Sequence, residues 1–246
     1  KAALDEINLL DPASVDDKYE IQICGDLTLT EDLQINTPNI KITSDLATPP
    51  TITSTNYMIT VNPGSGEDVE IEKINFSGLK GGINVTSGQL TINNSTVMNG
   101  STYNSDYAAG ITIKSGATLK SDEGLVIESC DNNIDGGHSG IFNNGGNIEL
   151  TGTIIQNCDN TNAGSGGGIY TKPYIWASTS NAVNLENCII TNNTAGTGGG
   201  IYCYGTEITI KGGEISSNEA KYGEGGGIYL SNGGTDFVGK FIMQDS

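Results

Sequence analysis

One spacing constrains this chain more than anything else in it. A small residue, then Gly, then Ile recurs at Gly82-Ile83, Gly110-Ile111, Gly140-Ile141, Gly168-Ile169, Gly200-Ile201 and Gly227-Ile228, with Ile-to-Ile steps of 28, 30, 28, 32 and 27 residues. A fixed period of this length marks a repeat architecture, in which each repeat is one supersecondary unit. Each copy also holds an apolar pair at i, i+2: Leu90/Ile92, Ile148/Leu150, Val183/Leu185, Ile208/Ile210 and Phe241/Met243. A third apolar residue follows five positions after the pair: Val97, Ile155, Ile190 and Ile215, and upstream Phe76 after Val69/Ile71. Around Leu119 and Ile127 the rule is broken by a small insertion, Lys120 to Gly124.

Alternation over three or four residues specifies very short strands. Three of them per repeat, separated by Gly, Asn, Ser and Thr, is too little chain for a propeller blade, and no helical period is present. The remaining solution is a coil that advances one strand spacing per turn. The expected fold is therefore all-β, a single-stranded parallel β-helix with three short strands per coil. Coils stack about 4.8 Å apart, so the six isoleucines form one buried ladder. Gly before each ladder Ile is expected to supply a positive φ where the chain turns into the strand. Asn suits the turns and can pair amides up the stack. Leu79, Gly100, Cys130, Cys158, Asn193 and Asn218 are expected to form one such turn column.

The ends differ from the middle. Residues 1–20 are read as an N-terminal cap, with Ala2 to Leu10 a short amphipathic helix covering the first open coil. Residues 21–246 are read as about eight coils, starting with the pairs Ile21/Ile23, Leu27/Leu29, Leu33/Ile35 and Ile40/Ile42. The chain opens on Lys1 and stops within a repeat at Ser246, so a fragment of a longer, processed solenoid is expected.

Composition excludes several functions. The chain of 246 residues carries a net charge of −18, eleven lysines, no Arg and a single His. It lacks the basic footprint of a nucleic-acid binder and the guanidinium clamp that usually meets anionic substrates. One His cannot build a polyimidazole metal site. No run approaches the ~18 apolar residues of a membrane span. Five cysteines without a CxxC spacing do not read as a zinc ribbon or a thioredoxin site; burial as small apolar residues is their default. Cys130 and Cys158, as stacked neighbours, are near enough for a disulfide.

Gly-Gly-Ile-Tyr, paired with Ile190-Thr191-Asn192-Asn193 and Ile215-Ser216-Ser217-Asn218, resembles the GGA[ILV] and FxxN repeats of chlamydial polymorphic membrane proteins and similar bacterial surface proteins. The resemblance covers residues 75–246, with Ile in place of Ala and Ile or Val mostly in place of Phe. It implies a right-handed coil, display outside the cell and adhesin-like binding of a host protein or glycan.

Four features bear on chemistry. Asp131, Asp135 and His138 lie in one turn, where two carboxylates at hydrolase spacing would make a polysaccharide hydrolase or lyase. Asp and Asn with turn carbonyls suit calcium, but neither an EF-hand nor an Asp-rich nonapeptide is present, so no metal or cofactor is expected. An aromatic follows the ladder Ile in four copies, Phe142, Tyr170, Tyr202 and Tyr229, with Tyr204 beside them. If Ile points in, these rings point out, free either to stack on each other or to contact a ligand. Finally, the steps Ile169–Val183 and Ile228–Phe241 are 14 and 13 residues where 7 is usual, and the first brings Tyr174 and Trp176. Insertions at one point of a repeat tend to line a binding side. The expected function is non-catalytic binding and display through this aromatic face; the alternatives are a β-helix enzyme or a passive spacer.

Overall fold

The computed structural model describes residues 19–102, 104–132, 134–174, 181–232 and 240–244. The expected capping helix lies in residues 1–18, outside the described residues. The rest is a right-handed parallel β-helix with no helix among the described residues. Three sheets run its length. Sheet I, eight strands from Leu33–Ile35 to Ile228–Ser231, carries the Ile ladder. Sheet II has nine strands, from Tyr19–Gln22 to Lys240–Gln244, and sheet III eight, from Leu27–Thr28 to Glu214–Ser216. Every named strand pairing is parallel, and the ladder pairs in register from Ile59 through Ile83, Ile111, Ile141, Ile169 and Ile201 to Ile228. Register holds because a slip of one residue would turn every apolar side chain outward.

Inside, the ladders make one continuous core. Ile83, Ile111, Ile141, Ile169 and Ile201 are fully buried, as are Leu90, Ile92, Val97, Ile127 and Ile155. The core is not wholly apolar. Asn143 and Thr171 are buried on the inner face of sheet I, and Asn143 Nδ2 donates to Thr171 Oγ1 at 3.3 Å and to the Gly146 carbonyl at 2.9 Å. Paired this way, a buried amide avoids the cost of an unmet polar group.

The cross-section changes along the axis. From sheet III to sheet I the chain takes 7 residues in the early coils, Ile52 to Ile59 and Phe76 to Ile83. It takes 14 at Val97–Ile111, Ile127–Ile141 and Ile155–Ile169, then 11 and 13 at Ile190–Ile201 and Ile215–Ile228. The widened corner builds a fourth sheet of three strands, Asp159–Ser165, Thr194–Thr197 and Glu219–Ala220, which the three-strand expectation did not contain. Side-chain amides tie the wide corners together. Thr102 Oγ1 donates to Asn132 Oδ1 at 2.9 Å, and Asn132 Nδ2 to Asn160 Oδ1 at 2.6 Å. In the expected turn column, Asn193 accepts from the Cys158 N–H at 3.0 Å and donates to the Ile155 carbonyl at 2.9 Å, while Asn218 Nδ2 donates to the Ile190 carbonyl at 2.8 Å.

The glycine expectation needs correction. Of the glycines preceding the ladder, Gly82 has positive φ, but Gly110, Gly140, Gly168, Gly200 and Gly227 do not. The role of Gly110, Gly140, Gly168 and Gly200 is clearance: a Cβ on Gly140 would strike the Gly168 carbonyl of the next coil, and one on Gly168 would lie 2.7 Å from the Gly200 carbonyl. Left-handed backbone falls instead at the sheet corners, on Asn99, Ser129, Asn157, Asn192 and Ser217 after sheet III and on Lys73, Asn94 and Asn187 after sheet II. Asn is the commonest of these because its short polar side chain tolerates αL best among non-Gly residues.

Candidate functional site

The outer face of sheet I is where the expected site residues gather. Strand alternation sends the residue after each ladder Ile outward. Phe142, Tyr170, Tyr202 and Tyr229 pair in register, one per coil. Successive ring centroids lie 5.5, 5.2 and 5.2 Å apart, stacked, edge-on and stacked in turn. Spacings in this range suit favourable aromatic pairs. The rings therefore pack on each other while Tyr170, Tyr202 and Tyr229 stay partly exposed.

Phe142 departs from the expectation of an open column: it is only 1% exposed. The wide corner folds back over the sheet here, placing the His138 ring 3.8 Å from Phe142 and 4.7 Å from Tyr170. One coil earlier the same corner covers Thr112, whose Oγ1 accepts from the Ala108 N–H at 2.7 Å. In later coils glycine takes the position of His138. A Cβ on Gly198 would lie 2.9 Å from Tyr202 Cβ, and one on Gly225 2.7 Å from Tyr229 Cβ. The row is thus roofed at Phe142 and opens toward Tyr229.

A second outward column runs beside it, two residues further along each strand. Lys114 pairs with Asn144, and Asn144 with Lys172; Tyr204 follows in the next coil. Sequence reading named Tyr204 but gave the two lysines no role, although position i+3 from the ladder Ile was enough to place them together. Lys172 Nζ lies 5.1 Å from the Phe142 ring centre. Lys114 Nζ lies 4.9 Å from the Tyr107 ring and donates to the Asp106 carbonyl at 2.7 Å. Cation–π contacts of this kind hold an ammonium against a ring face. Tyr174, 42% exposed, packs its Cβ over Gly145 at the start of the first long insertion. Trp176 lies outside the described residues, as does most of the second insertion.

Burial sets the electrostatics. Desolvation, then the charges of Lys172 and Lys114, bring His138 down to about 3, so the ring is neutral at ordinary pH. Burial lowers both lysines and pushes the Tyr170 hydroxyl up to about 12, helped by Tyr202 and Tyr204.

The other sequence candidates separate. Asp131 bridges Asp159 of the next coil, accepting its N–H at 3.3 Å, and desolvation together with the Asp159 charge raises its carboxyl. Asp135 stands exposed on the turn, and His138 is turned in over the aromatic row. Cys130 and Cys158 are buried free thiols, their sulfurs donating to the Glu128 and Gln156 carbonyls at 3.5 Å. Among the described residues no three His, Cys, Asp or Glu side chains gather to hold a metal, and no helix is long and apolar enough to cross a membrane. No protein-family model matches the chain, and comparisons with curated proteins and with solved structures returned no match.

Proposed function

We propose that this β-helix is a non-catalytic binding and display segment of a secreted or surface-displayed bacterial protein, adhesin-like in action, which lays an extended host glycan or peptide along the outer face of sheet I. The observation that carries this reading is the in-register row Tyr170–Tyr202–Tyr229, partly exposed on one face with Tyr204 and Tyr174 beside it. Rings on a rigid sheet present contact area at little entropic cost, and an anchor side chain at a hot spot contributes about 2 kcal/mol or more. The repeat resemblance to chlamydial polymorphic membrane proteins supports the cell-surface part of the reading.

A screen of glycans and host proteins against the wild type, Tyr202→Ala and Trp176→Ala tests it, with circular dichroism confirming the fold. Loss of binding in either variant is the expected result; equal binding by all three proteins overturns the surface assignment. The protein is also expected to release no reducing ends or unsaturated products from pectin, alginate or glycosaminoglycans. Turnover that disappears in Asp131→Asn or Asp135→Asn would make it an enzyme.

A further inference from the structure

The two lysines on this face are unlike most of the others whose contacts the structure describes. Lys41, Lys120, Lys211 and Lys240 each form an ion pair, at 2.7, 3.3, 2.6 and 3.2 Å respectively. Lys114 and Lys172 form none among the described residues, although acidic residues outnumber lysines 29 to 11. Both are half-buried, and Asn144 alone separates them in the column, so their backbones are about 9.6 Å apart, two strand spacings. Asp106 is close enough to attract both without pairing with either, and the Asp106 group bound by Lys114 is the backbone carbonyl. His138, packed on Phe142 and Tyr170 and within electrostatic reach of both lysines, is neutral, and its Nδ1 has no hydrogen-bond partner among the described residues. Two like charges drawn partly out of water on one patch are unfavourable in the free protein. An anion seated there removes that penalty and gains charge-assisted hydrogen bonds.

We infer that the Lys114–Asn144–Lys172 column is an acid-binding subsite, and that the ligand of this face is a glycan whose neutral sugars stack along Tyr170, Tyr202 and Tyr229 and whose acidic group sits at the two lysines. The juxtaposition supports this order: Lys172 and Tyr170 lie on one strand, Ile169–Lys172, and Tyr204 continues the lysine column beside Tyr202. A single acidic group fits better than a polyanion, because the chain as a whole, at −18, repels long anionic polymers beyond the reach of two local charges. This inference rests on the proposed aromatic binding face and names the class of its ligand.

The probes are 3′-sialyllactose, 3′-sulfolactose and lactose, titrated calorimetrically into the full chain at 50 and 300 mM salt. The sialylated sugar is expected to bind at least about tenfold tighter than lactose, the size of one charge-assisted contact, with the advantage shrinking at high salt. In Lys114→Gln/Lys172→Gln the acidic-to-neutral ratio falls to about one, and Lys114→Arg/Lys172→Arg restores it. Melting temperatures of both variants show that the fold is intact. Equal binding of the sialylated and sulfated sugars supports an anion site indifferent to the acid; binding of the sialylated sugar alone supports one fitted to a carboxylate. Lactose binding as tightly as the acidic sugars, or a preference that survives the double Gln variant, overturns the acidic subsite while leaving the aromatic face standing. Failure of all three sugars to bind also overturns it, and the aromatic face is then judged separately by whether the Tyr202→Ala variant loses any partner found in the screen.

Discussion

Coils on either side of Met98 share the same three walls and differ at one corner. In the narrow coils a corner of 7 residues joins sheet III to sheet I: at Ile52–Ile59, Ser54 Oγ accepts the Tyr57 N–H at 2.9 Å and the Asn56 N–H at 3.3 Å, and at Phe76–Ile83 the Lys80 and Gly81 N–H groups donate to the Tyr57 and Ser101 carbonyls at 3.1 and 2.7 Å. In the wide coils the corner is too long for one side chain to close. It is fastened to its neighbours by side-chain amides, through Thr102–Asn132–Asn160 and Cys158–Asn193–Asn218, and part of it folds over the outside of sheet I. The difference teaches that stacked apolar residues suffice to hold a coil, whereas the extra chain is ordered by polar side chains that reach from coil to coil. The candidate site belongs to the wide half alone.

The largest expected effect is one the two halves share. Ile59→Asp and Ile169→Asp each bury an unpaired charge in the ladder, where both residues are fully buried, and each should cost more than about 3 kcal/mol. Tyr202→Ala, on the outer face, should cost about 1 kcal/mol. Equal losses in melting temperature for Ile169→Asp and Tyr202→Ala would refute the assigned facing.

Next in size is the change that sets the halves apart. Asn193→Ala removes a buried amide and leaves the Cys158 N–H and the Ile155 carbonyl unmet, which should cost about 2–3 kcal/mol in urea unfolding. Ser54→Ala, its counterpart in a narrow coil, should cost about 1 kcal/mol, as for a lost cap-like bond. If the two costs are alike, amide coupling is not what orders the wide corners.

His138 sharpens the contrast through pH. Its folded pKa, about 3, lies below the ordinary imidazole value of 6.5. Below pH 6.5 the unfolded chain binds a proton that the folded chain refuses, so stability is lost as pH falls from 6.5 toward 3. By pH 5 this amounts to about 2 kcal/mol. His138→Gln should abolish that share, so the wild-type advantage over the variant should shrink on acidification. An advantage that stays constant from pH 7 to 4 would mean that the ring is not buried over Phe142.

The smallest expected effect is a gain. The Asp131 carboxyl is raised by desolvation and by Asp159, so its ionised form is disfavoured in the fold at neutral pH. Asp131→Asn keeps an oxygen for the Asp159 N–H and removes the like charge, and should stabilise by a few tenths of a kcal/mol. The gain should vanish once the pH falls below both carboxyl values. A loss of stability at pH 7 would show that the bond from the Asp159 N–H to the Asp131 carboxylate outweighs burial and repulsion.

Sequence reading reached the walls of the solenoid and stopped at its corners. The ladder isoleucines, the i, i+2 pairs and the turn column through Cys130, Cys158, Asn193 and Asn218 were all legible, because burial selects residue type and strand geometry fixes the spacing. The fourth sheet was not, since Asp159–Ser165 and Thr194–Thr197 are Gly-, Asn- and Thr-rich and carry no apolar alternation. The roof over Phe142 was equally silent. Nothing in the order of residues says that the turn bearing His138 folds outward onto the sheet it leads into rather than away from it. For the same reason neither Lys114 nor Lys172, the latter seen only as part of the first insertion, was given a role: a lysine on an outer face reads as a solvated charge until its neighbours are known.

The clearance glycines carry a consequence for how such a chain can change over generations. From Gly82 to Gly200 each coil leaves room for a hydrogen, and not for a methyl group, where the next coil's carbonyl arrives. That fit depends on the coil above bringing a backbone at the same height, and hardly at all on how many residues its corners contain: steps of 27 to 32 residues all satisfy it. Duplication or loss of whole coils therefore preserves every wall contact, while insertions accumulate at the corners without penalty to the stack. The walls are inherited as a module, and the corners and outer columns are left free to diverge toward new partners.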